Sequence, residues 1–481
     1  MSRYKLAAIA MLVAWCAVML AVRRPARITN DWMGWRQADT QAIANNFAFE
    51  EFAPLHPRID WRGDGPGYVE TEAQIYPTLI ACVMKLAGES VWPGQLLSLL
   101  CTALAIAVVA AALARRYGEP AAFAALCAML GHQGTIAMAT SIQPDSLALL
   151  AFAVGIVAFV DYLETRRRAW LWIAATAIAA LVKPTTLELG VAEFLLAALD
   201  RKLRDRTLWI GWAIVVAVEL VFLWYAHTLY VRYGNTFGVL SGGDSKLPAL
   251  AMLRDRDVWI GLVRYSIVWG IGVLAVPAAI YLAATKKLEH VHVALAAGAV
   301  LLVLLALRYT SGTFGTHYHL PHVVLGGWLV AAAAARLPAR VVLPAVAIAA
   351  LLLGARAMRF LHELPAEPET FLGDTLAALA PPGTLVAVRA RAEQYNTEWH
   401  TENNFQDPRV FYVSRTKGWA VPNDTPGARW VYETMALGAK YYVHVRQKPI
   451  DAELAAWLAG HSRCVFASPE GQIYELHRLV E

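Results

Sequence analysis

The segment "PGQLLSLLCTALAIAVVAAALA" (residues 93–114) contains no charged side chain and is followed at once by Arg115 and Arg116. A helix needs about 20 mostly apolar residues to cross the hydrocarbon core of a bilayer, so this segment predicts a transmembrane helix that ends in a basic loop. The pattern recurs along a chain of 481 residues that is 58% hydrophobic and 16% charged, whereas soluble proteins carry about a quarter charged residues. The sequence therefore predicts an α-helical polytopic membrane protein.

About eleven segments have the length and apolarity of a span. The first follows Arg3 and Lys5 and lacks a small-residue cleavage site, which favours a retained signal anchor over a signal peptide. The predicted spans are residues 6–22, 93–114, 120–139, 146–163, 169–183, 185–199, 208–228, 259–283, 291–307, 317–335 and 341–357.

Residues 74–88 form a doubtful segment, because it is short and contains Pro77 and Lys85. If it does not cross the membrane, the basic short loops all fall on the side of the N-terminus, as the positive-inside rule requires. We therefore predict a cytoplasmic N-terminus and a long outer loop over residues 23–92, in which 74–88 is a re-entrant or interfacial helix. The unusual polar clusters of the chain then share the outer face.

From about residue 360 the pattern changes to short strands, predicted at residues 384–388, 410–413, 440–445 and 463–468, with a helix at 426–438. Alternating strands and helices indicate a small α/β domain. The chain is thus predicted to divide into a transmembrane domain (1–359) and a soluble outer domain (360–481). The turn "RTKGW" (415–419) is predicted to be a plain loop.

Two classes of function are not indicated by the composition. The five cysteines show no disulfide framework and no zinc spacing. Basic patches interleaved with aromatic residues, which are typical of nucleic-acid binding, are absent from the sequence. The net charge of +5 is explained by cytoplasmic loops that contact anionic lipid.

The most unusual polar stretch is "GWRQADTQAIANNF" (34–47). A helix predicted over residues 40–52 would place Ile43, Phe47 and Phe52 on one face, in the membrane interface. Asp39 stands at the start of that helix, where its carboxylate could accept the unpaired N–H groups as an N-cap.

The alternative is that Asp39, held beside Arg36 and Gln37, acts as a general base that takes a proton from an acceptor hydroxyl. Asp31 is the rival candidate for the same role. Both interpretations remain open from the residues alone.

Glu70 and Glu72 precede the 74–88 segment in "YVETEAQIYP". Glu72 could bind a metal, orient an arginine or be solvated, and a functional role is favoured because Tyr76 and Pro77 follow where the chain re-enters lipid. Glu70 is predicted to be solvated.

Asp145 follows Pro144 at the outer end of a span, where it either starts the helix or belongs to a site. Lys183 lies between two apolar segments, and a lone lysine there is costly unless it pairs or reaches the interface. On the outer face, its ammonium could contact a lipid phosphate. Asp39, Glu72 and Asp145 could together bind a divalent metal, or act separately.

The stretch "RYTSGTFGTHYHLPH" (308–322) collects Arg308, His317 and Tyr318 at another outer turn. Its histidines do not have the spacing of a closed zinc site. Contacts with phosphate or sugar are the functional interpretation, and an aromatic belt at the membrane surface is the alternative.

This order of features resembles the GT-C glycosyltransferases, in particular the superfamily of protein O-mannosyltransferases and aminoarabinose transferases of bacterial inner membranes. The segments "RQADT..IA.NF" and "LVKPT" carry the resemblance best. It implies a periplasmic active site in which a sugar passes, with inversion, from a polyprenyl phosphate to a glycan, lipid A, lipopolysaccharide or protein acceptor. No cofactor beyond a possible divalent metal is implied.

The resemblance also implies roles for individual residues. The family's catalytic carboxylate maps to Asp39, with Asp31 open because the usual Asp-Glu is Asp39-Thr40 here. Its acidic and aromatic positions before the interfacial helix map to Glu72 and Tyr76. The residues implied to hold the donor phosphate are Lys183, Arg308 and Arg36, and those implied to shape the acceptor site are Gln37, Asp145, His317 and Tyr318.

A polytopic transporter is the main alternative of a different class, since charges inside a membrane also mark permeation paths. The long first loop and the lack of paired halves argue against it. A non-catalytic partner in envelope polysaccharide export is a third possibility.

Overall fold

The fold is described from a computed structural model covering residues 2–23, 27–241, 250–397, 401–425, 427–446 and 449–477. In chain order the α-helices are α1 (Arg3–Val18), α2 (Gly34–Asn45), α3 (Ile75–Ala87), α4 (Trp92–Tyr117), α5 (Glu119–Leu130), α6 (Gln133–Met138), α7 (Asp145–Thr165), α8 (Ala169–Val182), α9 (Glu188–Leu199), α10 (Arg206–Tyr233), α11 (Arg256–Tyr265), α12 (Ala275–Ala284), α13 (His290–Leu305), α14 (Leu307–Thr310), α15 (Val323–Ala334), α16 (Ala339–His362), α17 (Pro368–Leu379), α18 (Arg409–Ser414), α19 (Gly427–Ala436) and α20 (Ala452–His461). The strands are β1 (Val69–Glu70), β2 (Asn235–Thr236), β3 (Leu385–Arg389), β4 (Tyr395–Asn396), β5 (Thr401–Glu402), β6 (Lys417–Val421), β7 (Tyr441–Val445), β8 (Ser462–Ser468) and β9 (Gly471–Leu476).

The chain forms two compact units. The helical unit contains residues 1–24, 91–224 and 246–363, and the mixed unit contains residues 25–90, 225–245 and 364–481. The first long loop and the C-terminal segment, which are far apart in sequence, therefore belong to the same compact unit.

The helical unit is built from apolar helices, with α7 packed against α4 and α8, and α15 packed against α5 and α12. Within the described ranges, five helices are long and apolar enough to cross a membrane, or six if the pair Arg256–Ile271 and Ala275–Ala284, bent by 97°, is one span. Four shorter apolar helices include α5, α8 and α13. The total of about eleven spans, which would include these shorter or broken segments, remains a prediction.

Helix α3 covers most of the doubtful segment 74–88. Its 13 residues are about 20 Å long at 1.5 Å per residue, which is less than the roughly 30 Å thickness of the hydrocarbon core. It belongs to the mixed unit, with Tyr76, Ile80 and Met84 buried and Leu86 exposed.

The centre of the mixed unit is a five-stranded sheet in the order β6-β3-β7-β9-β8. Strands β6, β3 and β7 are parallel, while β9 runs antiparallel to both β7 and β8. Alternate residues of β3 point to opposite faces. Val386 and Val388 join one buried cluster, and Ala387 joins another.

The first of these clusters joins the sheet to the first long loop. It contains Ile43 and Phe47 from the α2 region together with Val386 from β3 and Phe411 from α18. Burial of apolar side chains is the main favourable term in folding, so this shared core holds the loop and the sheet together.

Three local predictions are wrong. Residues 410–413 lie in α18 and not in a strand, and "RTKGW" (415–419) leads into β6 and is not a plain loop. The helix predicted over 40–52 begins earlier, at Gly34, and ends in a π-helical turn at Asn46–Glu50, so that Phe52 is exposed. Val410 and Phe411 are apolar in any conformation, so their pattern alone does not distinguish a short helix from a strand.

Candidate active site

Helix α2 fixes the position of Asp39 by burying the residues that share its face. Arg36, Asp39, Thr40, Ile43 and Phe47 follow one another at helical spacing on one side of the helix and its π-helical end. All five are at least nine-tenths buried. The apolar pair is anchored in the shared core, so the polar residues one turn earlier are held in place.

Asp39 is 3% exposed and accepts a hydrogen bond from the Trp61 indole, with Nε1 3.0 Å from Oδ1. Burial raises the pKa of Asp39 to about 8, against the lowering effects of the Trp61 hydrogen bond and the Arg36 charge. Asp407 and Asp60 also raise this pKa. A carboxylate with a pKa near the working pH is suited to proton transfer.

The N-cap interpretation of Asp39 is wrong. The helix begins at Gly34 after Met33, which has φ +56° and makes no side-chain cap, so Asp39 lies in the second turn. The usual capping residues are absent at that start, which is why the sequence pattern placed it too late.

Asp31 lies in the turn before α2 and is bound to Gln37. The Gln37 Nε2 donates to Asp31 Oδ2 at 2.9 Å and to the carbonyl of Trp32 at 2.8 Å. Gln37 is completely buried, so its amide holds the turn that leads into the helix of Asp39.

Glu72 forms a buried ion pair with Arg36 and accepts a hydrogen bond from the Thr71 hydroxyl at 2.9 Å. The Arg36 guanidinium also lies over the Phe237 ring, 5.2 Å from its centroid. Tyr76, two residues into α3, is completely buried. Glu72 and Arg36 are thus brought together on the side of Asp39, which agrees with the prediction that Glu72 orients an arginine.

Glu70 is not solvated, contrary to the prediction. It is completely buried and accepts hydrogen bonds from the Thr236 hydroxyl at 2.6 Å and from the Ser241 backbone N–H at 3.1 Å. These donors come from a segment more than 160 residues away, so no local pattern could indicate them.

The Arg36–Glu72 pair provides a stability prediction. An Arg36→Met variant leaves the Glu72 carboxylate buried without a cation, so we expect the free energy of unfolding to fall by about 3–5 kcal/mol. Adding Glu72→Gln removes the buried charge and should restore part of that loss. Thermal unfolding in detergent measures both changes, and a single variant as stable as the wild type would contradict the pairing.

In the helical unit, Asp145 and Lys183 form the second part of the predicted site. Asp145 is the first residue of α7, and Lys183 follows α8 at the break before Pro184. The Lys183 Nζ lies 3.2 Å from Asp145 Oδ1 and 3.4 Å from Oδ2. Both side chains are at least nine-tenths buried, so the ion pair offsets the cost of burying a lone lysine.

Aromatic rings continue from this ion pair. The Lys183 Nζ lies 5.2 Å from the centroid of the Tyr318 ring, within the range of a cation–π contact. Tyr318 in turn contacts His317 and Tyr309, with ring centroids at 4.3 and 5.7 Å. Arg308 lies over Tyr309 at 5.7 Å. The structure thus connects Asp145, Lys183, Tyr318, His317 and Arg308 through successive contacts.

A further buried pair, Glu188 and His322, was not predicted from the sequence. His322 Nε2 lies 2.9 Å from Glu188 Oε2, and both side chains are 3% exposed. Glu188 begins α9, and His322 ends the 3-10 segment that carries His317 and Tyr318. The pair therefore joins the segment after Lys183 to the segment of Tyr318. The pair becomes recognisable only once both side chains are known to be buried.

The three carboxylates proposed to share a metal each contact a different kind of side chain. Asp39 accepts a hydrogen bond from an indole, Glu72 pairs with an arginine, and Asp145 pairs with a lysine. Among the described residues, no group of three or more His, Cys, Asp or Glu side chains is placed to hold a metal ion. The predicted joint metal site of these three carboxylates therefore has no support from their contacts.

Comparison with known proteins gives two kinds of similarity. Residues 72–225 match the family model described as dolichyl-phosphate-mannose-protein mannosyltransferase. No curated protein sequence gives a significant match.

Solved structures share the fold over nearly the whole chain. The crystal structure of ArnT from Cupriavidus metallidurans bound to undecaprenyl phosphate is 14% identical, with a TM-score of 0.65 over 97% of this chain and 98% of that chain. The apo state of the same protein gives 14% identity and a TM-score of 0.62, with the same coverage. The chain therefore shares its fold with ArnT over nearly its whole length, and residues 72–225 are similar to the dolichyl-phosphate-mannose-protein mannosyltransferases.

Proposed function

We propose that the chain is an inverting glycosyltransferase that moves a sugar from a polyprenyl-phosphate donor to a hydroxyl or amine of an envelope glycan, a lipid such as lipid A, or a protein. The observation that carries the proposal is Asp39, a buried carboxylate on α2 that accepts a hydrogen bond from Trp61 and has a pKa raised by burial to about 8. The likeness to ArnT, crystallised with undecaprenyl phosphate, supports a lipid-phosphate donor.

In the proposed reaction, Asp39 takes the proton from the acceptor O–H or N–H as the acceptor atom attacks the anomeric carbon of the sugar. The bond between that carbon and the phosphate oxygen breaks, and polyprenyl phosphate leaves with the electron pair. Attack opposite the leaving group inverts the anomeric configuration. A phosphate leaving group needs no acid, so one base and positive charge on the phosphate are sufficient.

Lys183 is the proposed source of that positive charge. Its ammonium is held by Asp145 and by the Tyr318 ring, so its position is fixed before a donor arrives. A charge fixed in advance stabilises a leaving group without a cost of reorganisation.

The remaining predicted residues have supporting roles in this proposal. Asp31 is the alternative base, and Gln37 holds its carboxylate. Arg308 adds positive charge beyond Tyr309, while Arg36 and Glu72 hold each other beside the base. The residues proposed to shape the acceptor or donor site are Gln37, Glu72, Tyr76, Asp145, His317 and Tyr318.

The proposed location is the bacterial inner membrane, with several spans and a cytoplasmic N-terminus. Residues 1–359 are proposed as the catalytic membrane domain, with the first loop (23–92) and the segment 360–481 on the periplasmic side. Among the residues that the structure describes, the five or six apolar segments long enough to cross a membrane support a multi-pass protein.

The pH dependence of transfer tests the base directly. Asp39 must be ionised to accept a proton, and burial raises its pKa to about 8, so we expect the rate to rise with pH and to level off above pH 8. The assay follows release of polyprenyl phosphate by the purified protein, with a synthetic polyprenyl-phosphate sugar and a membrane extract as acceptor. A rate that is flat between pH 6 and 9, or that falls as pH rises, would count against Asp39.

A further inference from the structure

The C-terminal sheet is joined to the first long loop at the edge strand β6. The backbone N–H of Gly418 donates to the carbonyl of Asp60 at 3.1 Å, and the N–H of Gly63 donates to the carbonyl of Gly418 at 2.6 Å. Residues 60–63 therefore cover the open edge of the sheet, where unpaired backbone groups would otherwise be exposed.

Two glycines shape this junction, one in the loop and one in β6. Gly418 has φ +144°, and a Cβ there would lie 1.9 Å from the carbonyl oxygen of Val386. Gly63 has φ +64°, and a Cβ there would lie 2.7 Å from the Trp419 indole nitrogen. A side chain at Gly63 would therefore push the loop away from the Trp419 ring of β6, and one at Gly418 would separate β6 from β3.

Lys417, the first residue of β6, strengthens the same junction. Its ammonium binds the Asp60 carboxylate, Asn46 Oδ1 at 3.0 Å and Glu50 Oε1 at 3.0 Å. Asn46 and Glu50 belong to the π-helical turn that follows α2. One side chain therefore holds both the end of the helix that carries Asp39 and the loop residue next to Trp61.

Trp61 is the link to the proposed base. It is 7% exposed, packs against Phe237 with ring centroids 5.9 Å apart, and donates its indole N–H to Asp39. Because Asp60 is fixed by Lys417 and by the backbone of Gly418, the neighbouring indole is held where its N–H meets the carboxylate.

We propose that Lys417 and Trp61 are positioning residues for the catalytic base, so that the C-terminal segment sets the ionisation of Asp39 through the edge of its sheet. The inference rests on the proposed function, in which Asp39 is the base. In this proposal the C-terminal segment acts on the reaction indirectly, through the loop residues that β6 holds.

The charges around Asp39 determine the direction of the effect. Arg36 on its own helix and the Trp61 N–H favour the ionised form, while Asp60 in the loop and Asp407 before α18 disfavour it. Trp61→Phe removes the hydrogen bond and keeps most of the ring. Lys417→Met removes the cation that neutralises Asp60 and loosens the loop. Both changes should therefore make Asp39 harder to ionise.

The test is the pH–rate profile of sugar transfer by the full-length protein, with the same synthetic donor and acceptor extract. In Trp61→Phe the midpoint is expected to rise by about one pH unit, which lowers the rate at pH 7 by about tenfold and leaves the high-pH plateau in place. Lys417→Met should move the midpoint in the same direction. Lys440→Met, which changes an exposed lysine before β7, is the matched control and should keep the wild-type profile.

If Lys417 and Trp61 had a purely structural role, their replacement would lower the amount of folded protein without moving the midpoint of the pH–rate profile. The profile therefore distinguishes a structural role from a positioning role. If Lys417→Met does not fold, Trp61→Phe alone decides. Wild-type midpoints in the variants, with Asp39→Asn inactive, would overturn this inference and leave the proposed function intact. An active Asp39→Asn would instead overturn the proposed function and this inference with it.

Discussion

Replacing Asp39 with Asn is expected to lower sugar transfer by about 10²–10⁴-fold, which is the usual contribution of a general base. The amide has nearly the shape of the carboxylic acid, and its oxygen can still accept the Trp61 N–H that lies 3.0 Å from Oδ1. Burial already favours the uncharged form of this side chain, so the fold should tolerate the change. The expected result is an inactive protein with the thermal stability of the wild type.

Asp31→Asn is the matched control for that measurement. Asp31 is also a carboxylate near α2, but it accepts a hydrogen bond from Gln37 at 2.9 Å, and an Asn oxygen can accept the same bond. We expect this variant to retain most of the activity. The reverse pattern, with Asp31→Asn inactive and Asp39→Asn active, would transfer the role of base to Asp31.

Replacing Lys183 with Met is expected to affect both stability and transfer. The change removes the proposed phosphate contact and leaves Asp145 buried without its cation, so the free energy of unfolding should fall by about 3–5 kcal/mol. Turnover of the donor should be lost as well. Thermal unfolding and donor release, measured on the same preparation, record the two effects.

The double variant Lys183→Met with Asp145→Asn separates the effect on stability from the effect on transfer. It removes the uncompensated carboxylate, so stability should recover toward that of the wild type. Transfer should remain absent, because no ammonium is left to meet the departing phosphate. A double variant that recovers both stability and transfer would show that Lys183 has only a structural role.

Those parts of the molecule that depend on local patterns were predictable from the sequence. The apolar runs at 93–114 and 146–163 predict the helices α4 and α7, since length and apolarity alone define such segments. Lys183 was predictable as a residue in need of a partner, because an isolated charge between apolar helices is costly.

The partners themselves could not be predicted. Trp61 is 22 residues from Asp39 in sequence, and Lys417 reaches Asp60 across 357 positions. Such contacts arise only when the loop and the sheet share a core, and neither sequence segment carries a local pattern that specifies the other. The same reason explains why Glu70 was expected to be solvated and why the pair of Glu188 and His322 was not foreseen.

The boundaries of α2 show a different limit. Its start depends on a left-handed Met33 and not on a capping side chain, so the rules for helix starts placed the helix several residues too late. Asp39 was nevertheless singled out as a candidate, because a cluster of charged and polar side chains close to an apolar segment is visible without knowing where the helix begins.

Mass spectrometry of polyprenyl-phosphate sugars and envelope glycans from a strain that lacks the chain tests the proposed sugar transfer most directly. The proposed function predicts that one polyprenyl-phosphate sugar accumulates and one sugar decoration disappears. Wild-type protein should reverse both changes, and Asp39→Asn expressed at the same level should reverse neither. Unchanged glycans in the deletion strain, or full restoration by Asp39→Asn, would contradict the proposed transfer.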